Sequence, residues 1–392
     1  MSADCVEVAI IGAGTAGCLM ANLLQEIAVS CVLIEKSRGL GGRCSRRVVS
    51  VSAASFQSDL TSHASSSSSS SALDIAVEPV LMQNNQGERK LSMNMGAASF
   101  STEKIKYPEL KVRIAAWLEA GVLSTWQYQS RCFDQSDYET HHALTALPSL
   151  NSWHKSMAAG VDVITGCRVS RMEDVAGVWY LFDEDNELII MANRVIITSP
   201  AEQILDLLIA SDLLHKSLCF QAIEAIAKTS QGQYVCAIEI EEAVQASVDM
   251  YQGGQAVLAK AIRLSNTPSM NSNMPSESTI WMLQSDSLWA QEQAGMTHEE
   301  AAKTLAQAFC QHFNLQSQAR ILTSHYWRLA RHIVRTEAMK NTYLDSDLIK
   351  PYILDTELNL GICGDWLDTG EVAGALNSAF ALFQGLKPSL NY

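Results

Sequence analysis

The sequence has no excess of positive charge. Its 392 residues set 28 Lys and Arg against 42 Asp and Glu, a net charge of −14. That excludes the basic face with which nucleic-acid-binding proteins neutralise phosphates. Its ten cysteines include no C-x-x-C pair, so neither a zinc ribbon nor a disulfide framework is expected, and scattered reduced thiols fit a cytoplasmic protein. No apolar run approaches the ~20 residues that a membrane span needs. The N-terminus has no basic stretch ahead of an apolar segment, so no secretory signal is expected. No nucleophilic triad and no carboxylate pair stands out. His141 and His142 are adjacent, and neighbouring side chains point apart on a helix or a strand, so they lack metal-ligand spacing. No metal site is expected. The remaining bulk numbers, 47% hydrophobic and 18% charged, are those of a soluble globular chain long enough for about two domains.

What is present begins at Val6. An apolar run to Ile11 reads as a buried parallel strand, and Gly12, Gly14 and Gly17 follow at G-x-G-x-x-G spacing. A helical pattern then places Leu19, Met20, Leu23, Leu24 and Ile27 on one face. A second run, Cys31 to Ile34, ends on Glu35, about twenty residues past the glycines. Strand, glycine turn, helix and acid in this order are the dinucleotide-binding arrangement. Gly12 permits the turn, Gly14 admits a pyrophosphate, Gly17 lets helix and strand pack, and Glu35 can accept from a ribose diol. The helix N-terminus offers N–H groups to the phosphates. Shortly after the acid comes Gly41-Gly42-Arg43, a second close-approach turn with a cation. This turns the expectation from NAD towards FAD.

Further along, a serine-rich stretch at about 51–75, with an unbroken run from Ser65 to Ser71, has nothing to bury and is expected to be a disordered surface insertion. The small residues of Met95-Gly96-Ala97-Ala98-Ser99 would let backbone pass close to a flat ligand. A helix is expected from about Pro108 to Ala120, with Trp117 in a core. The stretch 122–160 has no single clear period. Strands are expected across 161–203, with Asp183 to Asn186 as a solvated hairpin tip and Arg194 to Thr198 as a buried strand. Ser199 is expected to cap the next helix in a capping box with Glu202. Strands are then expected at Tyr234–Ile240, Ala256–Arg263 and Ser278–Leu283, with Trp281 in a core, and a capping box at Thr297 with Glu300. A dense aromatic and cationic group, His325-Tyr326-Trp327-Arg328, precedes a last strand that runs into Gly364-Asp365-Trp366 and a helix opening near Val372. Asp365 can accept from a ribityl hydroxyl. The start of that helix, with Gly374 and Ala375 keeping the approach clear, can set positive potential at a flavin edge.

Five segments carry a resemblance: Ile10–Gly17, Glu35–Arg47, Met95–Phe100, His325–Ala330 and Gly364–Ala379. Together the chain resembles the renalase-type FAD-dependent oxidoreductases, within the flavin amine oxidase group of the glutathione-reductase-like fold. The resemblance implies non-covalent FAD. Gly12, Gly14, Thr15, Ala16 and Gly17 would line the pyrophosphate, with Lys36 and Gly42 nearby. Glu35 would hold the adenine ribose, Arg43 the phosphate side, and Val169 the adenine. Gly96, Ala97, Gly364, Asp365, Val372 and Ala375 would lie along the ribityl chain and the isoalloxazine. It also implies oxidation of a dihydronicotinamide dinucleotide by hydride transfer to the flavin, with molecular oxygen as acceptor. Trp327 and Trp366 would serve as packing walls, with Arg328 and His325 beside them. Two alternatives stand beside it, a flavin amine oxidase and a catalytically degenerate FAD-binding protein. The run Asn94 to Ser99 departs from the family pattern, which commonly shows an acidic–His–Gly–Ala–Gln–aromatic run there. The class expected is α/β, a Rossmann-like FAD domain (1–100, 159–203 and 323–392) with an inserted mixed α+β substrate domain (101–158 and 204–322).

Overall fold

A computed structural model describes residues 5–52, 88–241, 244, 247–270, 278–332 and 350–390. The chain opens with β1 (Cys5–Ile11), α1 (Thr15–Glu26), β2 (Cys31–Glu35), β3 (Arg46–Ser52), β4 (Glu88–Asn94) and α2 (Pro108–Glu119). It continues through β5 (Leu123–Cys132), β6 (Tyr138–Ala146), α3 (Leu150–Met157), β7 (Asp162–Thr165), β8 (Arg171–Val175), β9 (Val178–Phe182) and β10 (Leu188–Ile197). Next come α4 (Ala201–Ala210), α5 (Leu218–Ala227), β11 (Ser230–Ile240), β12 (Met250–Gln252), β13 (Leu258–Arg263) and β14 (Thr279–Ser285). The last elements are α6 (Ser287–Glu292), α7 (His298–His312), β15 (Arg320–His332), β16 (Ile353–Asp355), β17 (Leu360–Ile362) and α8 (Glu371–Leu386).

The first sheet has the order β16-β17-β10-β1-β2-β7, with β9 and β8 added beside β10. From β17 to β7 its strands run parallel. Parallel strands are covered on both faces, which is why β1 and β2 read as unbroken apolar runs. One face packs against α1, α2, α3 and α8. The other packs against α4, α5 and the β8–β9 hairpin. Every residue of α8 from Val372 to Phe383 is buried, as expected of a helix apolar all round.

The second sheet has the order β15-β11-β14-β13-β12-β5-β6. Its outer face is closed by α6 and α7, and α7 starts with the expected capping box, Thr297 with Glu300. Its inner face meets the β3–β4 ribbon, Met95 and Ala98 in a separate cluster. Val235, Ala237, Ile280, Met282 and Ile262 supply the sheet's share.

Several expectations change. Helix α4 is capped at Pro200 with no side-chain bond, so the Ser199 capping box does not form. Glu202 instead meets His332 at 3.3 Å. The stretch without a clear period resolves into β5, β6 and α3, because half-exposed strands and an amphipathic helix follow one another within forty residues. Trp117 is only partly buried and packs edge-on against the fully buried Trp153. The boundary expected at 322/323 falls inside β15, which belongs to the second sheet, while α2 and α3 pack on the first. The serine run lies outside the described residues. Among those described, no helix is long and apolar enough to cross a membrane.

Candidate functional site at the carboxyl edge of the first sheet

The loops after β1, β2, β10 and β17 all leave the first sheet at one edge. Open parallel sheets bind ligands at this edge. Hydrogen bonds hold the loops to one another: Gly41 N–H donates to the Ala13 carbonyl (2.8 Å), Thr198 Oγ1 to the Gly12 carbonyl (2.8 Å) and Cys363 N–H to the Ile197 carbonyl (3.1 Å).

The three glycines after β1 have separate tasks. Gly12 has φ +107°, a conformation L side chains rarely adopt. A Cβ on Gly17 would sit 1.9 Å from the Gly12 carbonyl oxygen, so only glycine lets α1 start this close to the loop. A Cβ on Gly14 would meet nothing within 4 Å. The turn is closed on the Gly12 and Gly17 sides and open at Gly14, as a cradle for an outside group requires. Gly42 faces it, with its Cβ position 3.6 Å from Gly14 Cα. Helix α1 is capped at Gly14 with no side-chain bond, which leaves the first N–H groups at Thr15, Ala16 and Gly17 for an anion. Glu35 is buried and accepts from Ala13 N–H and Ser37 N–H, both at 2.8 Å. It therefore ties β2 to the glycine turn. Lys36 beside it is exposed. The loop carrying Val169 lies alongside, since Gly166 N–H donates to Ser37 and Cys167 N–H to Glu35.

Arg43 joins the two ends of the chain. It donates to the Ala330 carbonyl at 2.9 Å and to Asp365 Oδ1 at 2.5 Å. Burial opposes its charge, and Asp365 more than offsets this, so its pKa lies above the ordinary arginine value. The Arg43 carbonyl accepts from Ala97 N–H (3.0 Å), and a Cβ on Gly96 would fall 1.9 Å from that oxygen. The segment 95–97 is thus docked directly on the second glycine turn. Gly364 is held through its N–H by Ser378 Oγ (2.9 Å). Helix α8 is capped at Gly370, again with no side-chain bond, and Val372 and Ala375 lie in its first turns. Two helices with bare N-termini, α1 and α8, therefore pack side by side, and Arg43–Asp365 links their loops.

Of the four residues expected near the reacting centre, Trp327 packs on the segment 95–97. Its indole donates to the Met95 carbonyl (3.0 Å) and its ring lies 3.5 Å from the Gly96 Cβ position. Trp327→Phe is expected to lower stability by about 1 kcal/mol, the value of that one bond, with FAD content retained; urea unfolding and the absorbance ratio of the purified protein check both. Trp366 instead lies in the core beneath the edge, donating to the Ser199 carbonyl (3.1 Å). His325 is engaged by Arg47 Nη2 at 3.1 Å. Arginine only donates, so His325 Nδ1 is the acceptor. Burial, then Arg47 and His298, hold its pKa below the ordinary value. Arg328 is exposed.

Two groups escaped the sequence reading. His154 on α3 is fully buried and meets Thr15 Oγ1 at 2.9 Å through Nε2 and the Leu150 carbonyl at 3.1 Å through Nδ1. Burial pulls its pKa down to about 4. It is neutral, so the carbonyl fixes the proton on Nδ1 and Nε2 accepts from Thr15. The second group lies on the inner face of the second sheet. Lys260 is opposite Gln284 in register, Gln284 Nε2 reaches the Gly96 carbonyl at 3.4 Å, and Gln233 lies opposite Trp327. The signal was present: Lys260, Gln284 and Gln233 are polar interruptions of otherwise buried strands.

Comparison with known proteins agrees with this architecture. Residues 10–76 match the profile of the NAD(P)-binding Rossmann-like domain. Wild-type putrescine oxidase bound to putrescine has a similar structure, with a TM-score of 0.57 at 10% identity over 98% of this chain and 99% of that one. A triple mutant of putrescine oxidase from a cofactor-binding redesign gives a TM-score of 0.59 at 11% identity over 98% and 99%. A protein assigned as a protoporphyrinogen oxidase from Exiguobacterium sp. 255-15 gives 0.63 at 8% identity over 99% and 100%. The fold is that of these oxidases. At such identities the likeness concerns the fold alone, end to end.

Proposed function

We propose that the protein is an FAD-dependent oxidoreductase of the renalase type, with the glutathione-reductase-like arrangement of a cofactor half on the first sheet and a substrate half on the second. The observation that carries this is the double cradle. The open turn at Gly14 with the bare start of α1 suits a pyrophosphate, and the bare start of α8 suits the pyrimidine edge of a flavin. The Arg43–Asp365 bridge would lie along the ribityl stretch between them. One helix start alone would serve many anions, whereas two, joined by a cation and a carboxylate, suit an extended dinucleotide.

The favoured substrate is a dihydronicotinamide dinucleotide, over an amine. The flavin, when bound, supplies a two-electron acceptor that molecular oxygen can regenerate. The chain's own part is to align the donor and exclude water. The wall opposite Gly96 is built for this from Trp327, Gln233, Gln284 and Lys260. Its one described buried carboxylate, Glu239, lies at the far end of β11, where it meets Ser278 at 2.8 Å and Arg320 at 3.8 Å. A protonated amine would meet Lys260 on this wall and, among the described residues, no buried acid near it.

Anaerobic titration of the purified protein tests this. The expected result is a yellow protein bleached by 2- or 6-dihydro isomers of NAD(P)H. Bleaching by primary amines alone would make it an amine oxidase, and bound FAD that neither reduces would leave it a binding protein without turnover.

A further inference from the structure

We infer that Lys260, with Arg331 at the mouth, forms a subsite for an anionic group of the substrate, a phosphate or a carboxylate. This deepens the dihydronicotinamide reading and rests on it for the choice of substrate probe. Lys260 is half-buried on the inner face of β13. Among the described residues it has no hydrogen bond and no carboxylate partner. The acid closest in effect, Glu371, is already paired with Lys104 at 3.1 Å. Arg331 approaches the same wall, reaching Gln233 Oε1 at 3.5 Å, and it also lacks a carboxylate partner among the described residues. Gln233 and Gln284 are more than nine-tenths buried between the two cations, and both spend their amide N–H on backbone carbonyls, Ser285 at 2.9 Å and Gly96 at 3.4 Å.

Among the described residues, this wall carries two cations with no carboxylate paired to either. Burial, then the like charge of Arg331, hold Lys260 below the ordinary lysine pKa, with Lys104 acting the same way and Glu371 against it. Glu371 is largely exposed and shared with Lys104, so an anion arriving at the half-buried Lys260 relieves both the desolvation and the repulsion from Arg331. The position also suits selection. Gln284, opposite Lys260 in register, reaches the Gly96 carbonyl, so an anion held at Lys260 would fix the rest of the substrate near the segment docked on Arg43.

The test uses the FAD-loaded protein. Inorganic pyrophosphate and benzoate are titrated separately while the flavin absorption is followed, which distinguishes phosphate from carboxylate. At least one is expected to perturb the spectrum, with a Kd raised by about tenfold or more in Lys260→Met and returned to within about threefold in Lys260→Arg. Arg331→Gln, at an exposed position, gives a variant whose folding is not in question and is expected to weaken the anion by about threefold. In turnover, the KM gap between a dihydronicotinamide mononucleotide and its riboside, about tenfold or more in the wild type, is expected to collapse in Lys260→Met. If neither anion perturbs the flavin and the gap is the same in wild type and variants, the subsite is overturned and the oxidoreductase reading stands. If the anions bind through Lys260 but no dihydronicotinamide reduces the flavin, the subsite stands and the choice of substrate falls.

Discussion

Gly17→Ala is expected to destabilise the protein by about 3 kcal/mol or more, whereas Gly14→Ala is expected to leave the cofactor-free fold intact and weaken FAD by about tenfold or more. The two residues are three apart in one turn and differ in what surrounds them. A methyl group on Gly17 would lie 1.9 Å from the Gly12 carbonyl oxygen and 2.9 Å from Thr198 Oγ1. The oxygen is backbone, and Thr198 is held by its bonds to Ile11 and Gly12. Neither can retreat without opening the β1–α1 turn and the β10 loop together. At Gly14 the backbone is extended, with φ −77°, and the added methyl meets no protein atom within 4 Å. Alanine there even removes some freedom from the unfolded chain, worth about 0.5 kcal/mol in favour of folding. Urea unfolding of the apoproteins separates the two variants, and titration with FAD reads the second effect. A Gly14→Ala protein that binds FAD as tightly as wild type would show that the open side of the turn does not face the cofactor.

Much of this edge was legible in the sequence because its tasks are local. A strand, a turn, a helix and an acid within forty residues fix one another's geometry, and β1, α1 and β2 fall where the apolar runs and glycines predict. The later block, Gly364 to Ala379, was legible for the same reason, as a strand running into a helix. What joins the blocks was not. Arg43 and Asp365 are 322 residues apart, and nothing in local spacing says that they touch. Sheet membership was equally hidden: β15 reads as a strand in any context, and only its pairing with β11 assigns it to the second sheet. Trp327 drew notice because an aromatic in a cationic cluster is conspicuous. Lys260 was missed because one lysine in a strand ordinarily marks the solvent side. Trp366 drew notice by its place in Gly364-Asp365-Trp366, yet its ring turns into the core beneath the edge.

His154 shows the same limit more sharply, since a single histidine on an amphipathic helix gives no sign that it supports a loop 139 residues away. Its expected effect is a pH dependence of stability. Unfolded, the imidazole titrates near 6.5, and folded, near 4. Between these values the unfolded chain binds the proton and the folded one does not, so this contribution to stability is complete above pH 6.5 and is lost as pH falls towards 4. The loss over that window is about 3 kcal/mol. Carboxylates add acid sensitivity of their own, so the comparison is with His154→Gln, whose amide oxygen can still accept from Thr15 and which does not titrate. The difference in unfolding free energy between wild type and His154→Gln is expected to shift by about 2 to 3 kcal/mol against the wild type between pH 7 and pH 4.5, and a flat difference would mean that the histidine is not held neutral. The consequence for the site follows from bond direction. Because Nε2 can only accept, Thr15 directs its hydroxyl proton inwards, and the buried Cys44, kept as a thiol by burial that raises its pKa to about 11, donates to Thr15 at 3.9 Å. One buried chain of bonds therefore braces α1 and the Gly42–Cys44 turn from behind, so the anion-binding face is left to backbone N–H groups whose donor character does not change with pH.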